Sequence, residues 1–403
     1  MKIVMTTDTF WPRVNGVTVA IDTFRRELRR LGHTVYIFAP RYPAEWSGFA
    51  VPDDDQVFRF PSFSFPLSPE DRLGYPTVRL RIRRLLEELQ PDVVHSHSEF
   101  TIGFGGKSYC VRNSVPHVMT CHTYWENYIT TYVPIIPAFV ARAVASTWSR
   151  SDYRLVDYLT VPSQWLSELI ASYDIQPPIA VIPNGINPEE FHMEPAEREA
   201  AAARFAAKVP GLDGKRVLLY AGRLAKEKNI DFLLEVMLRV RESCPETVLV
   251  IAGRGPHDAS LRETVAEKGL SNNVRFAGYL DRKELSYAHS ISEAFVFASK
   301  TETQGLVLIE AMMCRSPVVT VTSPGTSEVM AEQKGGYLVD EDVTEFTDKV
   351  LLLLNDRELH ERKREEAWET AQTWTAAKMT EKLVEVYEKA IQNRKFQDPA
   401  QSA

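Results

Sequence analysis

Short runs rich in β-branched and apolar residues alternate with longer amphipathic stretches along nearly the whole chain, in two separate series. In the first half the strand-like runs fall at 2–6, 34–39, 57–60, 93–96, 117–121, 159–162 and 179–182, with helical periodicity at 17–31, 77–89, 103–113, 137–149 and 164–173. In the second half strands are predicted at 216–220, 248–251, 274–276, 294–297, 318–321 and 337–339, and helices at 229–242, 259–268, 282–289, 306–314, 327–333 and 343–354. Strand–helix alternation builds parallel sheets with helices on both faces. The two series therefore predict an α/β chain with two doubly wound parallel sheets, and 403 residues suffice for two separate cores. The predicted seam is Pro183-Asn184-Gly185-Ile186-Asn187-Pro188, followed by an Ala-rich helical stretch at 196–207.

With 44% apolar and 25% charged residues the composition is that of a water-soluble globular protein. The formal charge of −7 argues against a general nucleic-acid binder. Cys110, Cys121, Cys244 and Cys314 lie far apart, which disfavours a zinc knuckle or a disulfide framework and suits a reducing cytoplasm. The first residues run straight into Thr6-Thr7-Asp8, too short for a signal peptide, and no stretch approaches the roughly 20 apolar residues of a membrane-spanning helix.

Two carboxylates stand out. Glu302 precedes Gly305 and Glu310 follows it, eight positions after Glu302, at a strand-to-helix turn. Glu302 falls at the positive end of the predicted helix, where unpaired backbone N–H groups favour anions. Glu310 falls inside that helix, among Leu306, Ile309 and Met313 on one face and Val307, Leu308, Ala311 and Met312 on the other. A helix that is apolar all round is buried, and a lone carboxylate there needs a partner, which ligand hydroxyls would supply. Taken singly, each Glu reads first as a cap or a satisfied core residue; the pair, flanking a Gly at a strand-to-helix turn, points instead to a ligand. Arg223 and Lys228 lie in the loop Ala221–Asn229, leading into the helix at 229–242. Cations there oppose the helix dipole unless an anion arrives, so a phosphate site is predicted. The first loop, from Asp8 to Val17, lacks G-x-G-x-x-G, which disfavours a nicotinamide-binding turn.

These residues resemble the Glu-x7-Glu and G-R-x3-x-K motifs of the GT4 family of retaining glycosyltransferases, of GT-B fold. The resemblance is dense at 8–17, 117–123, 181–186, 220–229 and 302–311. It implies two Rossmann-like domains facing across a cleft: 1–187 on the acceptor side, with 375–395 crossing back onto it, and 188–374 binding the nucleotide sugar. It implies transfer of a hexose with α configuration kept. Glu302 and the backbone at Thr303, Gln304, Gly305 and Leu306 would hold the donor sugar, Glu310 the ribose, and Arg223 and Lys228 the leaving diphosphate. The Gly16 loop would close over that diphosphate. Asn184 lies in a segment resembling the family's P-N-G-[IV], and Gly253 in one resembling its A-G-x-G-P turn, although Arg254 stands where an acidic residue is usual. The backbone at Tyr279 and Leu280 would read the base, and His122 would touch the donor sugar. No metal and no cofactor is implied; the donor, a UDP-sugar or alternatively a GDP-sugar, is a substrate. Asp53-Asp54-Asp55 imitates a metal-binding D-x-D but reads as a solvated turn.

Residues 124–140 are unusually aromatic and apolar, with Arg142, Arg150 and Arg154 following. The segment reads either as a membrane-surface element with arginines on anionic headgroups or as a buried helix and hairpin. The cationic stretch 77–89 (Arg79, Arg81, Arg83, Arg84) reads either as part of that surface or as a solvated helix face. Asp8-Thr9-Phe10-Trp11-Pro12 and His122-Thr123-Tyr124 resemble the GT4 branch that glycosylates diacylglycerol, implying a lipid acceptor at the inner face of the cytoplasmic membrane. The alternatives are a soluble sugar or glycan acceptor, a GT-B sugar-nucleotide epimerase or hydrolase, and a non-catalytic nucleotide-sugar sensor.

Overall fold

The structure, a computed structural model, describes residues 1–13, 15–43, 54–65, 68–132, 135–302 and 304–397. It divides into two compact units, Met1–Gly185 with Ala376–Ala403, and Ile186–Thr375.

The first unit runs β1 (Lys2–Thr6), α1 (Gly16–Arg30), β2 (Thr34–Pro40), β3 (Val57–Phe60), β4 (Ser62–Phe65), β5 (Ser68–Gly74), α2 (Val78–Leu89), β6 (Val93–Ser96), α3 (Thr101–Asn113), β7 (His117–Thr120), α4 (Trp125–Tyr132), α5 (Ala138–Tyr153), β8 (Tyr158–Val161), α6 (Gln164–Ala171) and β9 (Ile179–Val181). Its main sheet has the order β3-β2-β1-β6-β7-β8-β9, and every pairing is parallel. From β1 the chain first builds outward through β2 to β3, then returns to the other side of β1 to build from β6 to β9. The order reverses between β1 and β6, and a crevice opens at such a switch point beyond the carboxyl ends of the strands.

The second unit runs α7 (Pro195–Lys208), β10 (Arg216–Ala221), α8 (Ile230–Ser243), β11 (Thr247–Ala252), α9 (Asp258–Glu267), β12 (Val274–Gly278), α10 (Arg282–Ile291), β13 (Ser292–Phe297), α11 (Leu306–Met313), β14 (Val318–Val321), α12 (Pro324–Val329), β15 (Gly336–Val339), α13 (Val343–Asn355) and α14 (Arg357–Ala371). Its parallel sheet has the order β12-β11-β10-β13-β14-β15, so its switch point lies between β10 and β13. Every residue of β11 is buried, as a strand covered on both faces requires. The last helix, α15 (Ala376–Gln397), belongs to the first unit. Its Met379, Leu383, Val386 and Tyr387 share a core with Ile3, Met5, Ile21, Phe24 and Leu28.

Several elements differ from the sequence reading. The antiparallel pair β4–β5 and the polar helix α14 lie where no element was expected. The helix expected at 327–333 instead spans Pro324–Val329, because Ser323 and Thr326 form a capping box and Pro324 fits the first turn. The aromatic segment is divided: Trp125 is buried and Tyr124 packs edge-on against Trp165, whereas Ile135 and Phe139 are 89% and 75% exposed. The α2 arginines are engaged locally. Arg83 and Arg84 pair with Glu87 and Glu88, while Arg79 and Arg81 lie over the rings of Phe104 and Phe60. Asp54 is held by Arg25 and Arg29, and Asp53 lies outside the described residues.

Candidate active site

In the second unit the loops after β10 and β13 leave neighbouring strands at the switch point. They bring together two of the sequence-predicted residues: Lys228 Nζ donates to Glu302 Oε1 in a partly buried ion pair. This corrects the expectation that Lys228 waits uncompensated for an anion, since its charge is already countered by Glu302. Arg223 is exposed, and its guanidinium has no hydrogen-bond or ion-pair partner among the described residues. The loop is fixed from beneath, where the buried Tyr220 hydroxyl donates to the Arg223 carbonyl (3.2 Å) and its ring stacks on Phe297. Beside it, Asn229 Nδ2 donates to Glu341 (2.8 Å), which also pairs with Lys300. Glu341 was not singled out from sequence.

Neither α8 nor α11 has a side-chain N-cap, so their first-turn N–H groups are left to other partners. Gly305, at the entry to α11, has φ +71°, a left-handed conformation that favours glycine. Glu310, inside α11, has no hydrogen-bond or ion-pair partner among the described residues. Burial pushes its carboxyl above the usual range; Arg282 opposes this and Glu190 adds to it. Such a carboxylate is a ready acceptor for ligand hydroxyls. Gln304 is buried, and Thr303 lies outside the described residues.

The remaining donor-side expectations meet other duties. A Cβ on Gly253 would lie 1.8 Å from the Gly222 carbonyl oxygen, so close loop packing alone demands glycine there. The Tyr279 carbonyl accepts from Lys208 Nζ (3.1 Å), and Leu280 is buried. Asn184 is half-buried in the stretch after β9.

In the first unit, the loops after β1, β6 and β7 and the helices α4 and α5 line a cavity of about 520 Å³ at the switch point. Asp8 shapes it by accepting from Ser98 Oγ (2.6 Å) and from the Ile102 amide (3.1 Å), tying the β1 loop to the start of α3. His122 lines this cavity beside His97, with His97 Nδ1 and His122 Nε2 hydrogen-bonded at 3.1 Å. Burial lowers His122 to about 4 and holds His97 and His95 well below the usual range, so these rings are neutral near pH 7. Behind them His95 bridges the Tyr387 hydroxyl (2.7 Å) and Thr120 (2.6 Å). Gly16 opens α1 next to the capping Asn15, and a Cβ added there would meet open space. Sequence reasoning missed His97 and Glu99. The signal was available in the polar run His95-Ser96-His97-Ser98-Glu99 directly after the apolar Val93-Val94.

Twin doubly wound domains with polar residues gathered at each switch point are the architecture of the GT-B glycosyltransferases. A family model described as Glycosyltransferase Family 4 matches residues 14–190, and one described as Glycosyl transferases group 1 matches 203–370. A GDP-mannose-dependent alpha-mannosyltransferase of Mycobacterium tuberculosis is 30% identical over 364 residues, covering 89% of each chain. An alpha-monoglucosyldiacylglycerol synthase of Streptococcus pneumoniae is 28% identical over 347 residues, covering 84% of this chain and 75% of its own. Among solved structures, HepE of Anabaena in complex with UDP superposes with a TM-score of 0.74 at 16% identity, covering 96% of this chain and 100% of its own. The chain belongs to glycosyltransferase family 4 and is a hexosyltransferase. The epimerase and hydrolase alternative is not favoured by these relatives.

Proposed function

We propose that the protein moves a hexose from a nucleoside diphosphate sugar to the hydroxyl of a membrane lipid of the diacylglycerol kind, keeping the α configuration. One observation carries the donor half: the Lys228–Glu302 pair, with the exposed Arg223 in the same loop as Lys228, at the β10–β13 switch point. As the bond to the leaving diphosphate breaks, negative charge grows on it. Arg223, Lys228 and the uncapped starts of α8 and α11 stabilise that charge without reorganising. Glu302 orients sugar hydroxyls and Glu310 the ribose, while His122 supports the reacting sugar. The Gly16 loop, Asn184, Gly253 and the backbone at 279–280 and 303–306 complete the donor contacts. Residues 1–187 with 375–395 serve the acceptor and 188–374 the donor, and no metal takes part.

The lipid reading is favoured by the relative that makes a glucosyldiacylglycerol and by the exposed Ile135 and Phe139 at the start of α5. Arg150 and Arg154 are exposed at its other end. Apolar side chains at one end of a helix and arginines at the other suit the surface of an anionic bilayer at the cytoplasmic face. No helix among the described residues is long and apolar enough to cross a membrane.

A thermal-shift screen with UDP-, GDP- and ADP-sugars should single out one donor, because a ligand that binds only the folded state stabilises it by mass action. Arg223→Ala, Lys228→Ala and Glu310→Gln should each weaken that donor's affinity; undiminished affinity in all three sinks the site. Phe139→Asp should reduce pelleting with anionic vesicles, and equal pelleting removes the membrane part.

A further inference from the structure

The Lys228–Glu302 pair sets up a conflict inside the donor site. Lys228 is assigned to the diphosphate and Glu302 to the sugar hydroxyls, yet without ligand each occupies the other. Their side chains are only 20% and 19% exposed, so taking one charge away leaves the other poorly compensated by water. The backbone on both sides is pinned. The Lys228 amide donates to the Ala225 carbonyl (3.0 Å), the Asn229 amide to the Lys226 carbonyl (3.1 Å), and the Gly325 amide to the Glu302 carbonyl (2.9 Å). A change of partners is therefore a side-chain rotation, with the loops left in place.

No neighbour stands ready to replace Lys228. Among the described residues Glu302 has no other cationic partner. Lys300, two residues before it, is engaged by Glu341, which also accepts from Asn229 Nδ2 (2.8 Å). Burial, and after it the charge of Glu302, raise the Tyr220 hydroxyl, so this group lies within reach of that charge. Its hydrogen, however, goes to the Arg223 carbonyl (3.2 Å).

We propose that the pair biases the site toward the intact nucleotide sugar and against the nucleoside diphosphate left after transfer. The inference rests on the donor assignment of the preceding subsection and concerns the balance between its two ligands. When a nucleotide sugar enters, its diphosphate draws Lys228 away and its sugar hydroxyls donate to Glu302 instead, so both charges keep partners. This exchange accompanies binding and is complete before the bond to the diphosphate breaks. Once the sugar has left on the acceptor, the diphosphate still holds Lys228, but Glu302 has lost its donors and faces a polyanion. The uncompensated carboxylate and the like-charge repulsion both favour return of Lys228 to Glu302, which loosens the diphosphate. A nucleoside diphosphate arriving from solution meets the same obstacle.

The test is equilibrium titration of the whole protein with UDP, UDP-glucose, GDP and GDP-mannose, comparing diphosphate and sugar nucleotide for whichever base binds. Glu302→Gln should tighten diphosphate binding about tenfold and leave sugar-nucleotide binding unchanged or weaker. Diphosphate affinity that is unchanged or reduced in this variant overturns the proposal. Loss of a negative charge would by itself favour a polyanion, so a double-mutant cycle with Lys228→Met separates the two causes. In that background Glu302→Gln should alter diphosphate affinity by no more than about twofold. The full tenfold gain there would mean simple repulsion and overturn the exchange. Glu341→Gln is an independent arm should Glu302→Gln not fold. It keeps an acceptor for Asn229 and releases Lys300, which then takes up Glu302, so diphosphate binding should tighten about threefold. No tightening in that variant overturns the exchange. Wild type that binds none of the four ligands would sink the donor-site reading and this inference with it, whereas the other adverse outcomes leave that reading standing.

Discussion

The two units use one topological device for opposite electrostatic ends. At the β1–β6 switch point burial shifts the innermost titratable groups toward their uncharged forms, with His97 and His122 depressed and Glu99 raised to about 7, while the Arg13–Asp71 ion pair lines the same cavity. At the β10–β13 switch point Lys228 and Glu302 form an ion pair, and the loop after β10 also carries the exposed Arg223. Sheet order creates a crevice in each, and the residues beyond the strand ends decide its electrostatics. In the first crevice His97, His122 and Glu99 are buried close to aromatic rings, which makes their ionisation costly. The charged one lies in loops near water, where an ion pair is tolerated and an incoming phosphate still finds cations.

Four experiments would break or sharpen this contrast. The largest effects should come from removing the close approaches that shape each crevice. A Cβ at Gly103 would lie 1.8 Å from the Ser98 carbonyl oxygen, and one at Gly253 the same distance from that of Gly222. Gly103→Ala and Gly253→Ala should each cost about 3 kcal/mol or more in chemical denaturation, with Gly103→Ala impairing acceptor binding and Gly253→Ala donor binding. If either variant impaired both alike, the division of labour between the units would be wrong. Next, Lys228→Ala should lower kcat/KM about a hundredfold, or about 2.7 kcal/mol, with no effect on acceptor binding.

Glu99→Gln should then change the pH dependence of stability. The folded state holds the Glu99 proton up to about 7, whereas the unfolded chain releases it near its ordinary 4.5. The folded state thus binds more protons within that window, and wild-type stability falls as pH rises through it. The variant lacks this fall, so its stability relative to wild type should climb by about 2 kcal/mol between pH 5 and 7, read from melting temperatures. A constant difference across that range would show that the carboxyl is not buried as described. The smallest effect is that of salt. Raising ionic strength should weaken nucleotide-sugar binding a few-fold and leave dioctanoylglycerol binding unchanged, because screening acts on exposed charge.

Much of this architecture could be read from the residues. Runs such as Val93-Val94 and 247–252 are apolar without alternation, as parallel strands must be, and the loop cations Arg223 and Lys228 are visible beside a helix start. What escaped had physical causes. Helix α14 carries its buried contacts on Leu359, His360, Ala367 and Ala371, too sparse a stripe to show as periodicity. The β4 strand is only Ser62-Phe63-Ser64-Phe65, flanked by Pro61 and Pro66. Glu99 was illegible for a different reason, since its character comes from Trp125 and Tyr153, which lie 26 and 54 positions further on. The pairing of Lys228 with Glu302 likewise spans 74 positions, so each residue suggested a ligand while their mutual contact stayed hidden.

The placement of α15 has a consequence for how the molecule is made. The first unit's core needs Leu383 and Tyr387, which are made after the whole of Ile186–Thr375, whereas that second unit is one uninterrupted stretch. Domains tend to fold as they emerge. Here the later lobe is complete while the earlier one still lacks its closing helix, and the His95–Tyr387 bond forms only once α15 has emerged. A stop codon that removes α15 should therefore leave a nascent product with one finished lobe and one that cannot close its own interior.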